Sequence, residues 1–250
     1  MENHTQRILE LYDEGKSAAI VGHEIGLKAH QVYWILKREG IECRSNKVNS
    51  RRYEVNHSFF SEINNEKKAY WLGFLYADSS SGCYDGQYVL KVDLSDKDQT
   101  HLVRLAKDLS STYPVHLFSQ VTSYGKAKVA RLAITSHQMV TDLWSHGCHP
   151  NKTHDLNPPN IDDEELIRHF IRGFVDGDGS VAISGKTFRL KVVGTHAMMS
   201  WLKQELPRSG SIMKHKSIWA LEAHRDTIIW LYKDSNISLD RKYERAKQLF

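Results

Sequence analysis

"IRGFVDGDGSV", residues 171–181, is the stretch on which the reading of this chain turns. Ile171, Phe174 and Val175 recur at helical spacing and belong on one buried face. The helix then runs into Asp176, Gly177, Asp178 and Gly179. A helix C-terminus already carries bare carbonyls and the negative end of the macrodipole, so an acid there is poorly placed unless something neutralises it. Gly173, inside the helix, costs about 1 kcal/mol relative to alanine. That cost makes sense where a second backbone must come close.

A second copy supplies that backbone. "EKKAYWLGFLYADSSSG" (66–82) matches "LIRHFIRGFVDGDGSV" (166–181) when Gly73 is laid on Gly173 and Asp78 on Asp178, each pair one hundred positions apart. Extended stretches follow both helices, "QYVLKVDLS" (87–95) and "FRLKVVG" (188–194), then the amphipathic segments "KDQTHLVRLAKDL" and "HAMMSWLKQEL". Paired strands come next, "PVHLFSQV" with "KVARLAIT" and "SIMKHK" with "SIWALEA", and a last helix near 136–146 and 224–234. Two copies of α-β-β-α-β-β-α predict an internally duplicated α+β fold with pseudo-twofold symmetry. Its halves are expected at 59–155 and 156–250. Packed across that axis, Gly73 meets Gly173 and the carboxylates of Asp78 and Asp178 stand side by side. Each then repels the other and tends to hold a proton. A divalent cation removes both penalties. Carboxylate and carbonyl oxygens suit Mg²⁺, with water and substrate phosphate completing its shell, and a cation so held activates water at a scissile phosphate.

The N-terminal stretch has a different character. "QRILELYDEG", "KSAAIVGHEIGL" and "KAHQVYWILKREGI" read as three short helices, stopped at Gly15, Gly26 and Gly40. They form an expected all-α helix-turn-helix domain over 1–42. Residues 6–41 resemble the helix-turn-helix of resolvase and transposase DNA-binding domains. That likeness makes "VYWILKREGI" the recognition helix, with Gln31, Tyr33, Trp34, Lys37 and Arg38 as groove-facing candidates. A small bundle used only for packing is the plainer alternative. Residues 43–58 are polar and without periodicity, and read as a basic linker. Its Arg44, Lys47, Arg51 and Arg52 are candidates to follow phosphates or enter a minor groove.

Composition is compatible with that picture. The chain has 250 residues, 40% of them hydrophobic and 26% charged, which places it among folded globular proteins rather than disordered ones. No apolar run reaches membrane-span length and no signal-peptide core is visible. Cys43, Cys83 and Cys148 are scattered and odd in number, as expected of reduced thiols in an intracellular protein. The net charge of +4 is compatible with a polyanionic partner.

"WLGFLYADS" (71–79) and "IRGFVDGDG" (171–179) resemble the two nine-residue motifs of the LAGLIDADG homing endonucleases in their single-chain form. "LSDKDQTHLVRLAKDL", "LWSHGCHPNKTHDLNPPNI" and "LYKDSNISLDRKYERAKQL" are similar to further family segments, so the likeness covers nearly all of 59–250. It implies a monomer that straddles double-stranded DNA and makes a metal-dependent double-strand break with short 3′ overhangs at a long site. Mg²⁺ is the implied cofactor, with Mn²⁺ as a substitute. The eighth motif position, Asp78 and Asp178, carries the metal-binding acid, and the preceding carbonyls of Ala77 and Gly177 add ligands. Lys152 matches a lysine near the attacking water, with Lys242 or Arg241 as its counterpart. Lys91, Arg131, Lys191, Lys214 and Lys216 fall on expected strands and alternate outward as a DNA-reading face requires.

Two positions depart from the family pattern. Ser79 stands where the ninth position is usually glycine, and a helix-ending residue in the left-handed conformation favours glycine. Tyr76 stands at the sixth position in place of an acid. "SHGCH" (145–149) lacks a partner pair at zinc-ligand spacing and is not read as a metal site. Two rival functions share the scaffold: a DNA-binding transcription regulator that does not cut, and an RNA maturase.

Overall fold

The computed structural model describes residues 2–43, 52–122, 125–184 and 187–250. It divides into two units, one ending at Tyr53 and one beginning at Glu54. In the first, α1 (Glu2–Asp13), α2 (Ala18–Ile25) and α3 (Ala29–Arg38) enclose a core of Ile8, Leu11, Tyr12, Ala18, Val21, Val32 and Leu36. Ser17 opens α2 by accepting the Ile20 N–H, and Gly26, at φ 74°, turns the chain toward α3. Arg44, Lys47 and Arg51 of the expected linker lie outside the described residues.

The second unit consists of two successive copies of one arrangement. The first runs α4 (Glu66–Asp78), β1 (Ser79–Tyr84), β2 (Gln87–Ser95), α5 (Gln99–Asp108), β3 (His116–Thr122), β4 (Gly125–Thr135) and α6 (His137–Ser145). The second runs α7 (Glu164–Asp178), β5 (Gly179–Ser184), β6 (Thr187–Gly194), α8 (His196–Glu205), β7 (Ser209–His215), β8 (Ile218–Ala223) and α9 (Arg225–Tyr232), followed by α10 (Asp240–Ala246). The sheets are antiparallel with orders β1-β2-β4-β3 and β5-β6-β8-β7. Side-chain caps start the two central helices: Asn65 accepts the Lys68 N–H at 3.1 Å, and Asp163 those of Glu165 and Leu166 at 2.9 and 3.0 Å. Strand alternation then decides which face is covered. Leu90, Val92, Leu132, Ile134, Leu190 and Val192 are buried against helices, and Lys91, Asp93, Arg131 and Lys191 take the opposite face.

The two halves meet at α4 and α7. Residues Ala69–Tyr76 are all buried, as are Phe170–Asp176, within one core that spans both halves. A Cβ on Gly73 would fall onto the carbonyl oxygen of Phe170, and one on Gly173 onto that of Tyr70. The glycines therefore allow backbone-to-backbone packing that no side chain permits. Two polar links cross the same seam: Arg172 donates to Glu66 at 2.6 Å, and Tyr70 donates to Asp176 at 2.7 Å. Residues 54–58, read from sequence as the end of the linker, are built into this larger unit. Asn56 N–H donates to the Leu109 carbonyl, Thr112 N–H to that of Glu54, and Val55 packs on the core. Among the described residues no helix is long and apolar enough to cross a membrane.

Candidate metal and nucleic-acid site

The C-terminal ends of α4 and α7 converge just past the glycine crossing. A Cβ on Gly177 would collide with that of Ala77 and lie 3.3 Å from Asp78 Oδ2, so the Asp78 carboxylate faces the neighbouring helix end. Asp78 and Asp178 are both half-buried. Burial, and then the Asp78 charge, push Asp178 up to about 6. Burial also raises Asp78, against the pull of Lys242, Arg241 and Lys152. Among the described residues neither carboxylate accepts a hydrogen bond, whereas the fully buried Asp176 accepts three. Partly desolvated acids held together without donors have an unmet need for positive charge. No three His, Cys, Asp or Glu side chains converge on a metal-binding arrangement among the described residues. Two carboxylates with backbone carbonyls beside them are the kind of oxygen donors a hard cation such as Mg²⁺ takes, water or phosphate oxygens completing the shell. Ala77 and Gly177, the candidate carbonyl ligands, abut at this seam.

Lys152 and Lys242 are placed differently from a free surface base. Lys152 is 8% exposed and Lys242 1%. The Lys242 ammonium donates to the carbonyls of Val175 (2.7 Å), Asp176 (2.6 Å), Gly177 (3.4 Å) and Gly179 (2.5 Å). It occupies the orphan-carbonyl end of α7, where a cation complements the dipole. Burial draws it down to about 8. Lys152 donates to the carbonyl of Ser79, the residue just past α4 that corresponds to Gly179. Both ammonium groups lower the two acids. Of the two candidate counterparts to Lys152, Lys242 is the structural equivalent, since Arg241 pairs with Asp98 at 3.0 Å.

The concern over Ser79 does not arise in this geometry. Ser79 and Gly179 are both extended, at φ −112° and −96°, so neither needs the left-handed region. Ser79 Oγ donates back to the Leu75 carbonyl at 2.6 Å and adds to the α4 cap.

Sequence reasoning missed the group that organises the seam. Asp176 accepts from Tyr70 and Tyr232 hydroxyls and the Leu239 N–H, all at 2.7 Å. Arg172, fully buried, donates to the carbonyls of Ile237 and Leu231 and to Glu66. The visible signal was Arg172 and Asp176 four residues apart inside a buried helix, a spacing that puts opposite charges on one face.

On the sheets, Lys91 and Lys191 occupy equivalent outward positions, opposite Ser80 and Ser180. Lys191 lies 3.5 Å from His215 Nδ1. Arg131 is outward but engaged: it grips Asp93 through two 2.6 Å bonds and lies 4.6 Å over the Phe118 ring. Lys214 pairs with Trp219, so it belongs to the helix-side face of β7 and is exposed at the sheet edge. Lys216 is in the β7–β8 turn at φ 56°, not on a strand. Arg189 and His116 are exposed members of the outward faces that the sequence reading left out; Arg189 is 3.6 Å from Glu222, and His116 lies opposite Arg131.

In the first unit, Gln31 is spent on capping α3, accepting the Lys28 N–H at 2.9 Å, and Tyr33 is half-buried against the core. Trp34, Lys37 and Arg38 are exposed on α3, with Arg38 5.4 Å from the Trp34 ring centroid and 2.8 Å from Glu39. Arg52 is exposed and lies 5.5 Å over the Tyr53 ring.

No family model matches the sequence, and no curated protein matches it significantly. Solved structures do. The homing endonuclease I-WcaI bound to its DNA recognition sequence is 12% identical, with TM-score 0.53 over 86% of this chain and 96% of that one. The LAGLIDADG homing endonuclease I-GzeII in complex with a DNA target is 13% identical at TM-score 0.50, over 74% and 88%. Meganuclease I-SmaMI bound to uncleavable DNA is 14% identical at TM-score 0.50, over 72% and 87%. The architecture is thus the duplicated α+β fold of the LAGLIDADG endonucleases.

Proposed function

We propose that this protein is a site-specific DNA endonuclease that uses Mg²⁺, held by Asp78 and Asp178, to break both strands of a duplex and leave short 3′ overhangs. The observation that carries the reading is the pair of half-buried carboxylates at the end of the glycine crossing, which accept no hydrogen bond among the described residues. A scaffold that only bound DNA would gain nothing from two such acids at negative helix ends. The DNA-bound neighbours of the same fold support a duplex as the partner.

In this reading the residues divide the work. Asp78 and Asp178 supply oxygens from opposite halves, with the Ala77 and Gly177 carbonyls beside them. When bound there, the cation activates water and neutralises charge on the scissile phosphate. Lys152 and Lys242 hold positive charge next to both acids, which favours their ionised, ligating form and offsets charge developing on the phosphate. The outward sheet faces, with Lys91, Lys191 and Arg189, follow the duplex. Trp34, Lys37 and Arg38 on α3 give the first unit a second reading surface, which lengthens the site through linkage. The protein acts as a monomer, its two halves serving one strand each.

Incubation with a randomised plasmid library and Mg²⁺ tests the proposal. Linearised plasmids whose ends share one sequence and carry 3′ overhangs are expected. Selective binding with no cleavage would replace the proposal with a DNA-binding regulator, and preference for structured RNA would favour a maturase.

A further inference from the structure

The lysines beside the acids sit on segments that must be brought back to the helix ends. In both halves the sixth residue of the nine-residue motif bonds to the backbone of that segment. Tyr76 donates its hydroxyl to the His146 carbonyl. The same oxygen lies so close to Gly147 that a Cβ there would collide with it. From this point the chain runs through Cys148, whose thiol is 3.4 Å from the Leu75 carbonyl, to Lys152. In the second half Asp176 accepts the Leu239 N–H, and Leu239 begins the α10 helix that carries Lys242 in its first turn. A carboxylate against a helix start is favourable. Tyr70 and Tyr232 hydroxyls supply the remaining donors to Asp176.

We infer that Tyr76 and Asp176 are positioning residues: each ties the lysine-bearing segment of its own half to the end of its central helix, and so sets Lys152 or Lys242 beside the paired acids. The chemistry differs between the halves, a hydroxyl donating to a carbonyl in one and a carboxylate accepting an N–H in the other. Both contacts join the same motif position to the backbone a few residues ahead of the lysine. The tie itself rests on contacts within the protein, and its effect on strand cleavage rests on the nuclease reading above.

Site-resolved reductive methylation of the metal-free, full-length chain with formaldehyde and borohydride tests the tie without reference to activity. In the unmutated protein both lysines are expected among the slowest to react. Tyr76→Phe removes one oxygen and should speed Lys152 by about tenfold, the factor equivalent to about 1.4 kcal/mol, while Lys242 stays protected. Asp176→Asn should do the reverse, because one amide oxygen cannot serve three donors. Lys152 remaining protected in Tyr76→Phe, or either variant releasing both lysines together, would overturn the inference. General loosening of the fold gives that second pattern. On a cleavable duplex labelled on each strand, the two variants should slow opposite strands, and equal slowing of both strands would also overturn it. A chain that cuts no DNA would remove the nuclease reading, and the labelling would still decide the tie.

Discussion

Asp178 concentrates the chemistry of the site in one side chain. Its folded-state value of about 6 exceeds the ordinary carboxylate value, so folding penalises its ionised form. That penalty is absent below the unfolded value, grows as pH rises through 6, and is fully present above it. Measured against Asp178→Asn, which lacks this carboxyl, the metal-free protein should therefore lose stability between pH 4 and 7, and Mg²⁺ should raise the melting temperature more at pH 8 than at pH 5, where a proton competes for the ligand. Calorimetry at the two pH values, with and without Mg²⁺, measures this directly. Asp178→Asn should lower cleavage by at least about 10²–10³-fold while leaving DNA affinity nearly intact. The same change should stabilise the metal-free protein at pH 8 by on the order of 1 kcal/mol, because it removes a half-buried charge that accepts no hydrogen bond among the described residues. Loss of affinity in step with activity would instead place Asp178 in duplex binding. The equivalence of these acids was legible in the sequence, because Asp78 and Asp178 stand at the same offset from Gly73 and Gly173. The role of Asp176 was not, because its partners Tyr70, Tyr232 and Leu239 come from three separate elements that only tertiary structure assembles.

At the scale of elements, the crossing of α4 and α7 sets how far apart the acids stand. Gly173→Ala places a methyl group against the Tyr70 carbonyl, a backbone atom that cannot rotate away. A loss of about 1–3 kcal/mol or more in denaturant unfolding is expected. Mg²⁺ should also stabilise this variant less than the unmutated protein, because the helix ends are forced apart. Lys242→Met keeps the volume but removes the ammonium from four carbonyls, of which Val175's keeps the Gly179 N–H, and should cost about 1–3 kcal/mol. The helices and most strands were readable from periodicity and capping residues. Lys214 was misassigned for a specific reason: the β7–β8 register shifts between Ser209 and Ile212, and a one-residue slip moves every later side chain to the other face. The engagement of Arg131 with Asp93 was hidden similarly, because cross-strand neighbours depend on a register that composition does not set.

At the scale of the whole molecule, the division after Tyr53 makes the two units separable in principle. A chain beginning at Glu54 should unfold cooperatively with a melting temperature close to that of the larger unit in the full protein. It should keep metal-dependent cutting while accepting a wider set of sites, with a shallower dependence of affinity on salt as phosphate contacts are lost. Failure of this fragment to fold would mean that the core needs the first unit. The duplication was visible because it repeats residue types at fixed offsets, whereas the boundary was placed a few residues late. Residues 54–58 are mostly polar, and it is their backbone bonds with Leu109 and Thr112 and the packing of Val55 that tie them to the core. The ties from each central helix to the lysine segment of its own half also bear on recombination. A chimaeric joint between residues 155 and 163 hands over each acid together with the ammonium that accompanies it, while a joint inside either half parts them. Such a hybrid would still have to match the incoming half at Glu66 with Arg172, Tyr70 with Asp176 and Asp98 with Arg241, bonds that cross from one half to the other.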